Sequence, residues 1–173
     1  MSEGQEHVEP LGRALVVTAS NRASAGVYAD TGGPVLVAGL RDLGFAVDGP
    51  VVVPDGDPVL AALRDAVDGG YDVVLTTGGT GLSPTDRTPE ATLQVVDRLV
   101  PGIADAVRAY GVGHGVPTAA LSRGVAGLAG RTLIVNLPGS RGGCADGIAV
   151  LREVLAHAVH QIRGGDHPRP AGD

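Results

Sequence analysis

Two carboxylates and a glycine-rich turn are the residues of this sequence whose types and spacing could do chemistry. The stretch at 75–92, LTTGGTGLSPTDRTPEAT, offers Thr76, Thr77, Gly78, Gly79, Thr80 and Gly81, and then one acid, Asp86, before the next helix. Glycines in such a turn let backbone amides approach a ligand with no Cβ in the way. The threonines add hydroxyl donors. A helix opening near Pro89 points its free N–H groups back towards the turn, which favours an anion. A phosphate or pyrophosphate is the natural guest. An acid beside that guest repels it unless a divalent cation lies between, and Mg²⁺ is typically held by one or two carboxylates plus phosphate oxygens. Asp86 is therefore a candidate metal ligand, and Asp55, at the end of a neighbouring strand, is the second. Blander readings stay open: a tight turn without ligand, Asp86 as a helix-entry residue near Thr88, Asp55 or Asp57 as an N-cap. For Asp57 the N-cap is the better reading, because Pro58 follows at a first helical position.

Composition removes several classes of chemistry. All 13 basic residues are Arg, so a P-loop or a Schiff-base lysine is excluded. GTGLSP at 79–84 ends in Pro where the dinucleotide fingerprint needs Gly. Aromatic residues make up 2% and the net charge is -6, which argues against stacking platforms and against general attraction to nucleic acid. Cys144 is the only cysteine; no disulfide or Cys cluster is possible, and a small buried thiol in a reducing cytoplasm is expected. No signal peptide and no apolar run of about 18 residues is evident, so no membrane span is expected. Arg22 and Arg123 could each pair with a phosphate, although a surface role is the default. His114 reads as a loop residue, and His157 and His160 as part of a solvated helix face.

These residues need elements to hold them. Four β-rich runs, at 14–19, 46–53, 72–77 and 132–137, alternate with segments of helical period. Leu36, Val37, Leu40 and Leu43 form one stripe, ended by Gly44. Val59, Leu60, Leu63, Ala66 and Val67 form a second, ended by Gly69 and Gly70. A third helix should start with Thr88 as N-cap and run to about Leu99; a fourth should run from Pro101 towards Tyr110. The last carries Ile148, Leu151, Leu155, Ala158 and Ile162. Strands apolar nearly throughout, separated by helices, predict a three-layer α/β/α sandwich with a mostly parallel central sheet. Residues 13–164 form that single domain, with flexible tails at 1–12 and 165–173. In such folds ligands sit at the carboxyl ends of the strands. The four loops found there, SNRASAGVYADTGG, PDGD, the glycine turn and PGSRGG, should face one crevice.

With these motifs in place, the chain resembles the molybdenum-cofactor biosynthesis family that includes the bacterial Mog and MoaB proteins and the G domains of gephyrin and plant Cnx proteins. The likeness runs from about Arg13 to Gly164 through SNRASAGVYADTGG, VVPD, LTTGGTGLSPTDRTPEAT, PGIADAVR, LSRGVAGLAGRTLIVNLPGS and HAVHQIRGG. The resemblance implies a molybdopterin-binding-like fold and a molybdopterin adenylyltransferase, which joins the AMP of Mg-ATP to the terminal phosphate of molybdopterin and releases pyrophosphate. It implies that Thr76 to Gly81 bind the phosphates and that Asp55 and Asp86 hold Mg²⁺. It implies that Ser122, Arg123, Pro138, Gly139 and Ser140 form the pterin-side wall. It further implies a homotrimer or hexamer and contact with a molybdenum-insertion protein. Two positions depart from the family pattern: Asn21 stands where many relatives have Asp, and Leu99 replaces an acid. A non-catalytic molybdopterin carrier of MoaB type is the rival reading. An amidase acting on nicotinamide nucleotides is a third, lacking hydrolytic residues that can be placed here.

Overall fold

A computed structural model describes residues 8–166. Of the tails expected at 1–12 and 165–173, residues 1–7 and 167–173 lie outside the described residues. The sheet has six strands: β1 (Arg13–Ala19), β2 (Ala46–Val53), β3 (Val73–Thr77), β4 (Arg98–Leu99), β5 (Ala126–Ala129) and β6 (Thr132–Leu137). Their order is β2-β1-β3-β6-β5-β4. The first four of that order run parallel, and β5 and β4 close the far edge antiparallel. The helices are α1 (Asn21–Ser24), α2 (Gly32–Asp42), α3 (Asp57–Asp68), α4 (Thr88–Leu93), α5 (Pro101–Gly113) and α6 (Arg141–Ile162), with a 3-10 turn at Pro117–Leu121.

Period-two burial produces the three layers. Ala14, Val16, Val73, Leu75, Leu133, Val135 and Leu137 face one side, against Leu36 and Leu40 of α2, Val107 of α5 and Leu151 and Leu155 of α6. Leu15, Val17, Val74 and Ile134 face the other, against Val59 and Leu63 of α3 and Ala91 of α4. Strands with apolar side chains on both faces can only be covered by helices on both. The expected three-layer sandwich is therefore the one observed. Among the described residues no helix is long and apolar enough to cross a membrane.

The predicted helix stops fall where glycine permits them. Gly44 has φ +99; its N–H donates to Arg41 O at 2.9 Å, and Phe45 N donates to Leu40 O at 3.1 Å, the paired closure of a Schellman motif. Gly70, at φ +74, ends α3 with the same pattern. Three boundaries differ from expectation. The N-cap of α3 is Gly56, so Asp57 is its first residue rather than its cap. The third helix begins with Arg87 as cap and Thr88 inside, and it ends at Leu93, not Leu99. Asp97 N donates to Leu128 O and Val100 N to Ala126 O, each at 2.8 Å, so sheet pairing draws that segment away from the helix. α6 starts at Arg141, seven residues before its apolar stripe, because Ser140 Oγ accepts Gly143 N at 3.0 Å and caps it. β5 carries no strong strand signal of its own; Gly130, at φ +58, turns it back onto β6.

Asn136 locks the layers behind the site. Its amide donates to Thr76 Oγ1 at 3.0 Å and to Thr92 Oγ1 at 2.9 Å, and its carbonyl accepts Val125 N at 3.2 Å. The two bonds donated by the amide are buried and the third is partly so; an unpaired buried group costs about 1–3 kcal/mol. Asn136→Ala takes a bond from three partners at once, leaving Thr92 Oγ1 only its donation to Thr88 O, and should lower the melting temperature by roughly 6–12 °C, as read by calorimetry. A fall of under about 2 °C would mean that the network relaxes without loss.

Candidate active site

The carboxyl ends of β1, β3 and β6 meet at the glycine turn. Gly78 N donates to Leu137 O at 3.2 Å, and a Cβ on Gly139 would stand 3.2 Å from Gly78 Cα. The turns after β3 and β6 thus pack backbone against backbone. Gly78 (φ +90) and Gly79 (φ +66) adopt the left-handed conformations that the turn requires. Three hollows open around them. The largest, about 580 Å³, is lined by Gly78, Gly79, Thr80, Gly81, Asp86, Ser122, Pro138, Gly139 and Ser140, with a far wall from α5 and the 3-10 turn. A second, about 480 Å³, lies over Thr18, Ser20, Tyr28, Asp30 and Thr77. The third, about 280 Å³, holds Asn21, Arg22, Asp55, Gly79, Thr85 and Asp86.

Both predicted acids reach that third cleft. Asp86 lies against Gly81, where a Cβ would come within 2.8 Å of Asp86 Oδ2, and the same oxygen accepts Ser83 N at 3.0 Å. Asp55 N donates to Asn21 Oδ1 at 2.9 Å. Its own Oδ1 is buried without a hydrogen-bond partner, as is Thr88 Oγ1. Both atoms crowd the point over Gly79 where a Cβ would be. Burial pushes the Asp55 carboxyl above its ordinary range; the Asn21 backbone works against this, and the Asp86 charge adds to it. Two acids in one cleft, one oxygen unsatisfied, form a donor set that suits a hard divalent cation.

The remaining predicted residues divide between the cavity and its frame. Ser122, Pro138, Gly139, Ser140 and Thr80 line the large hollow. Thr76 is fully buried and its hydroxyl is held by Asn136. Thr77 Oγ1 donates to Pro138 O at 2.7 Å and meets Cys144 Sγ at 3.1 Å. Burial pushes the Cys144 thiol up to about 11, so it is the inert thiol expected. Arg123 lies behind the turn: Nε donates to Gly81 O at 2.8 Å, one terminal nitrogen to Asp86 O at 2.8 Å, and the other to Glu90. Its N–H donates to Thr80 O at 2.8 Å. The guanidinium holds the Glu90 carboxyl below the usual range.

Arg123 therefore sets the path of 80–90. Arg123→Ala should raise amide exchange across 78–90 about tenfold or more. Arg123→Lys should recover little, because an ammonium cannot serve three diverging acceptors. Unchanged exchange in both variants would remove this role.

Several lining residues carried no sequence signal. Val107, Gly111, His114, Val116, Thr118, Leu121 and Asp146 build the far wall; their convergence is a product of packing, and only the PGIADAVR motif hinted at it. Within that motif Arg108 donates to Ser122 O at 3.2 Å and to Gly124 O at 2.9 Å, fixing the LSR turn. His114, expected to be an ordinary loop residue, caps α5, stacks on Tyr110 with ring centroids 3.8 Å apart, and lines the cavity. His157 and His160 are exposed on α6, as expected. Leu99 is 56% exposed on the edge strand β4 and lines none of the three hollows. Asn21 supplies through its amide the oxygen that accepts Asp55 N.

Residues 15–157 match the family described as "Probable molybdopterin binding domain", and the chain belongs to that family. The Haemophilus influenzae molybdopterin adenylyltransferase is 46% identical over 131 residues, 72% of this chain and 64% of that protein. A molybdenum cofactor biosynthesis bifunctional protein of Synechococcus elongatus is 36% identical over 89% of this chain and 48% of its own length. The chain thus spans about half to two-thirds of these curated relatives. The solved structure of the molybdopterin biosynthesis Mog protein from Mycobacterium ulcerans is 52% identical, covers 87% of this chain and 98% of that chain, and superposes with a TM-score of 0.82.

Proposed function

We propose that the chain transfers the adenylyl group of Mg-ATP to the terminal phosphate of molybdopterin, releasing pyrophosphate and preparing the pterin for molybdate. The observation that carries this reading is the meeting of Asp55 and Asp86 in one cleft over Gly79, at the lip of the large cavity, with Asp55 Oδ1 buried and unpartnered. A desolvated carboxylate oxygen is costly until a cation or donor meets it. Asp55 and Asp86 would hold Mg²⁺, and the ion when bound neutralises charge on the reacting phosphates.

The chain's own residues supply position. Gly78, Gly79 and Gly81 let phosphates approach the backbone, with Thr76 shaping the turn from beneath and Thr77 and Thr80 lining the hollows beside it. Ser122, Pro138, Gly139 and Ser140 form the wall for the pterin, and the first turn of α6 directs N–H groups towards its phosphate. Arg123 acts on that wall through the turn it fastens. An oxygen of the pterin phosphate bonds to the α-phosphorus of ATP as the bond from that phosphorus to the β-bridging oxygen breaks; the electron pair leaves on pyrophosphate. No covalent protein intermediate is needed, which agrees with the inert Cys144. Alignment and charge stabilisation account for the acceleration.

The reading extends to a homotrimer or hexamer in the cytoplasm, passing its product to a molybdenum-insertion protein. Carriage of molybdopterin without turnover is the alternative; both acids favour catalysis. Purified protein given molybdopterin, ATP and Mg²⁺ should form adenylylated pterin, detected by mass spectrometry. Tight molybdopterin binding with no product would establish the carrier instead.

A further inference from the structure

The hollows around the glycine turn are short of positive charge. Among the described residues the largest is lined by Asp86 and Asp146 and by no Arg, and the one over Asp30 has none either. The chain contains no Lys. Of the two arginines that could meet a phosphate, Arg123 is fastened to Gly81, Asp86 and Glu90. Among the described residues Arg22 is the one arginine lining the cleft of Asp55 and Asp86.

Arg22 is anchored at its root and loose at its tip. Ser20 N donates to Val53 O at 2.9 Å, Ser20 Oγ accepts Ala23 N at 3.1 Å, and Asn21 Oδ1 accepts Asp55 N at 2.9 Å. These bonds fix the backbone of residues 20–23 against the acid. Among the described residues the guanidinium makes one hydrogen bond, to Tyr28 Oη at 3.1 Å, and lies 5.2 Å from that ring's centroid. Tyr28 is 59% exposed, so the tether is in contact with water and easily exchanged.

We propose that Arg22 is the arm that binds the β- and γ-phosphates of the nucleotide and holds pyrophosphate as it leaves. The proposal rests on the adenylyltransferase reading. As the bond from the α-phosphorus to its bridging oxygen breaks, the departing oxygen takes the electron pair and gains negative charge. Mg²⁺ held by Asp55 and Asp86 would offset part of that charge, and among the described residues Arg22 is the one permanent cation lining the cleft that can meet the rest. A guanidinium binds paired phosphate oxygens in bidentate fashion.

The test compares the full chain with Arg22→Gln and Arg22→Lys. Arg22→Gln should raise KM for Mg-ATP and the inhibition constant of inorganic pyrophosphate by about 10–100-fold. Melting temperature, molybdopterin affinity and AMP affinity should be unchanged, since AMP has no β- or γ-phosphate; Arg22→Lys should lie between. Equal pyrophosphate inhibition in wild type and Arg22→Gln would overturn the proposal, as would a matching loss of AMP affinity. If wild type transfers no adenylyl group, the enzyme reading fails by itself. Calorimetric titration of Mg-pyrophosphate into wild type and Arg22→Gln then still decides whether Arg22 binds it.

Discussion

Asp86→Asn should fold like the parent and lose turnover by about 10²–10³-fold. The amide still offers an oxygen to Ser83 N, the bond that holds this side chain at the turn, so melting temperature should stay within about a degree. What disappears is the negative charge in the cleft. Asp55→Asn should match that loss of turnover but differ in stability. Burial makes the ionised Asp55 costlier in the fold than in the unfolded chain. The metal-free protein therefore loses stability as pH rises above the ordinary Asp pKa. At pH 7.5 without divalent cation, Asp55→Asn should melt about 1–3 °C higher than wild type. Added Mg²⁺ should stabilise wild type and leave both variants unmoved. Full activity in Asp86→Asn would sink its metal role, and a metal-free Asp55→Asn that melts lower than wild type would contradict the desolvation argument.

Gly79→Ala carries the second large effect. At φ +66 a Cβ costs about 1–2 kcal/mol in backbone strain alone. The added carbon would also collide with the fully buried Thr88 Oγ1 and stand 2.9 Å from Asp55 Oδ1. Relief requires moving α4 or the acid, so turnover should fall by about 100-fold or more and the melting temperature by several degrees. Gly130→Ala is the control: its φ is +58 and no atom lies within 4 Å of the added carbon. It turns the chain between β5 and β6, at the end of β6 remote from the glycine turn. It should lose stability with turnover intact. Equal turnover losses in the two variants would mean that strain, not the contact over Gly79, is responsible.

The layered core was legible in the sequence because burial on both faces of β1, β3 and β6 leaves unbroken apolar runs, and the helices between them keep a clean period. The glycine turn and both acids were legible for a related reason: strand ends in a parallel sheet converge. Segments decided by tertiary contact were not legible. Val95 to Leu99 continue a helical pattern, yet pairing with Gly127 and Leu128 converts their end into β4. Gly142 and Gly143 read as a loop, and only the Ser140 cap shows that they open α6. Residue type could not separate the arginines either. Arg22 and Arg123 looked alike, each able to pair with a phosphate or to sit on the surface, yet Arg123 is the clasp of the turn and Arg22 lines the acid cleft.

Leu99 and Asn21 bear on whether the site is intact. Leu99 lies on the sheet edge away from the hollows, so the missing acid removes nothing from this chain's cavity. Asn21 keeps its bond to the Asp55 backbone while carrying no charge, which leaves Asp55 and Asp86 as the only acids of their cleft among the described residues.

If the proposed function holds, this cleft moves an adenylyl group and does not merely hold the pterin. ATP labelled at the α-phosphorus, incubated with molybdopterin, Mg²⁺ and the full chain, separates the two. Label should appear in the pterin product, with one pyrophosphate released for each, and neither signal should appear with Asp86→Asn. Unlabelled molybdopterin recovered from a tight complex, with ATP intact, would contradict it.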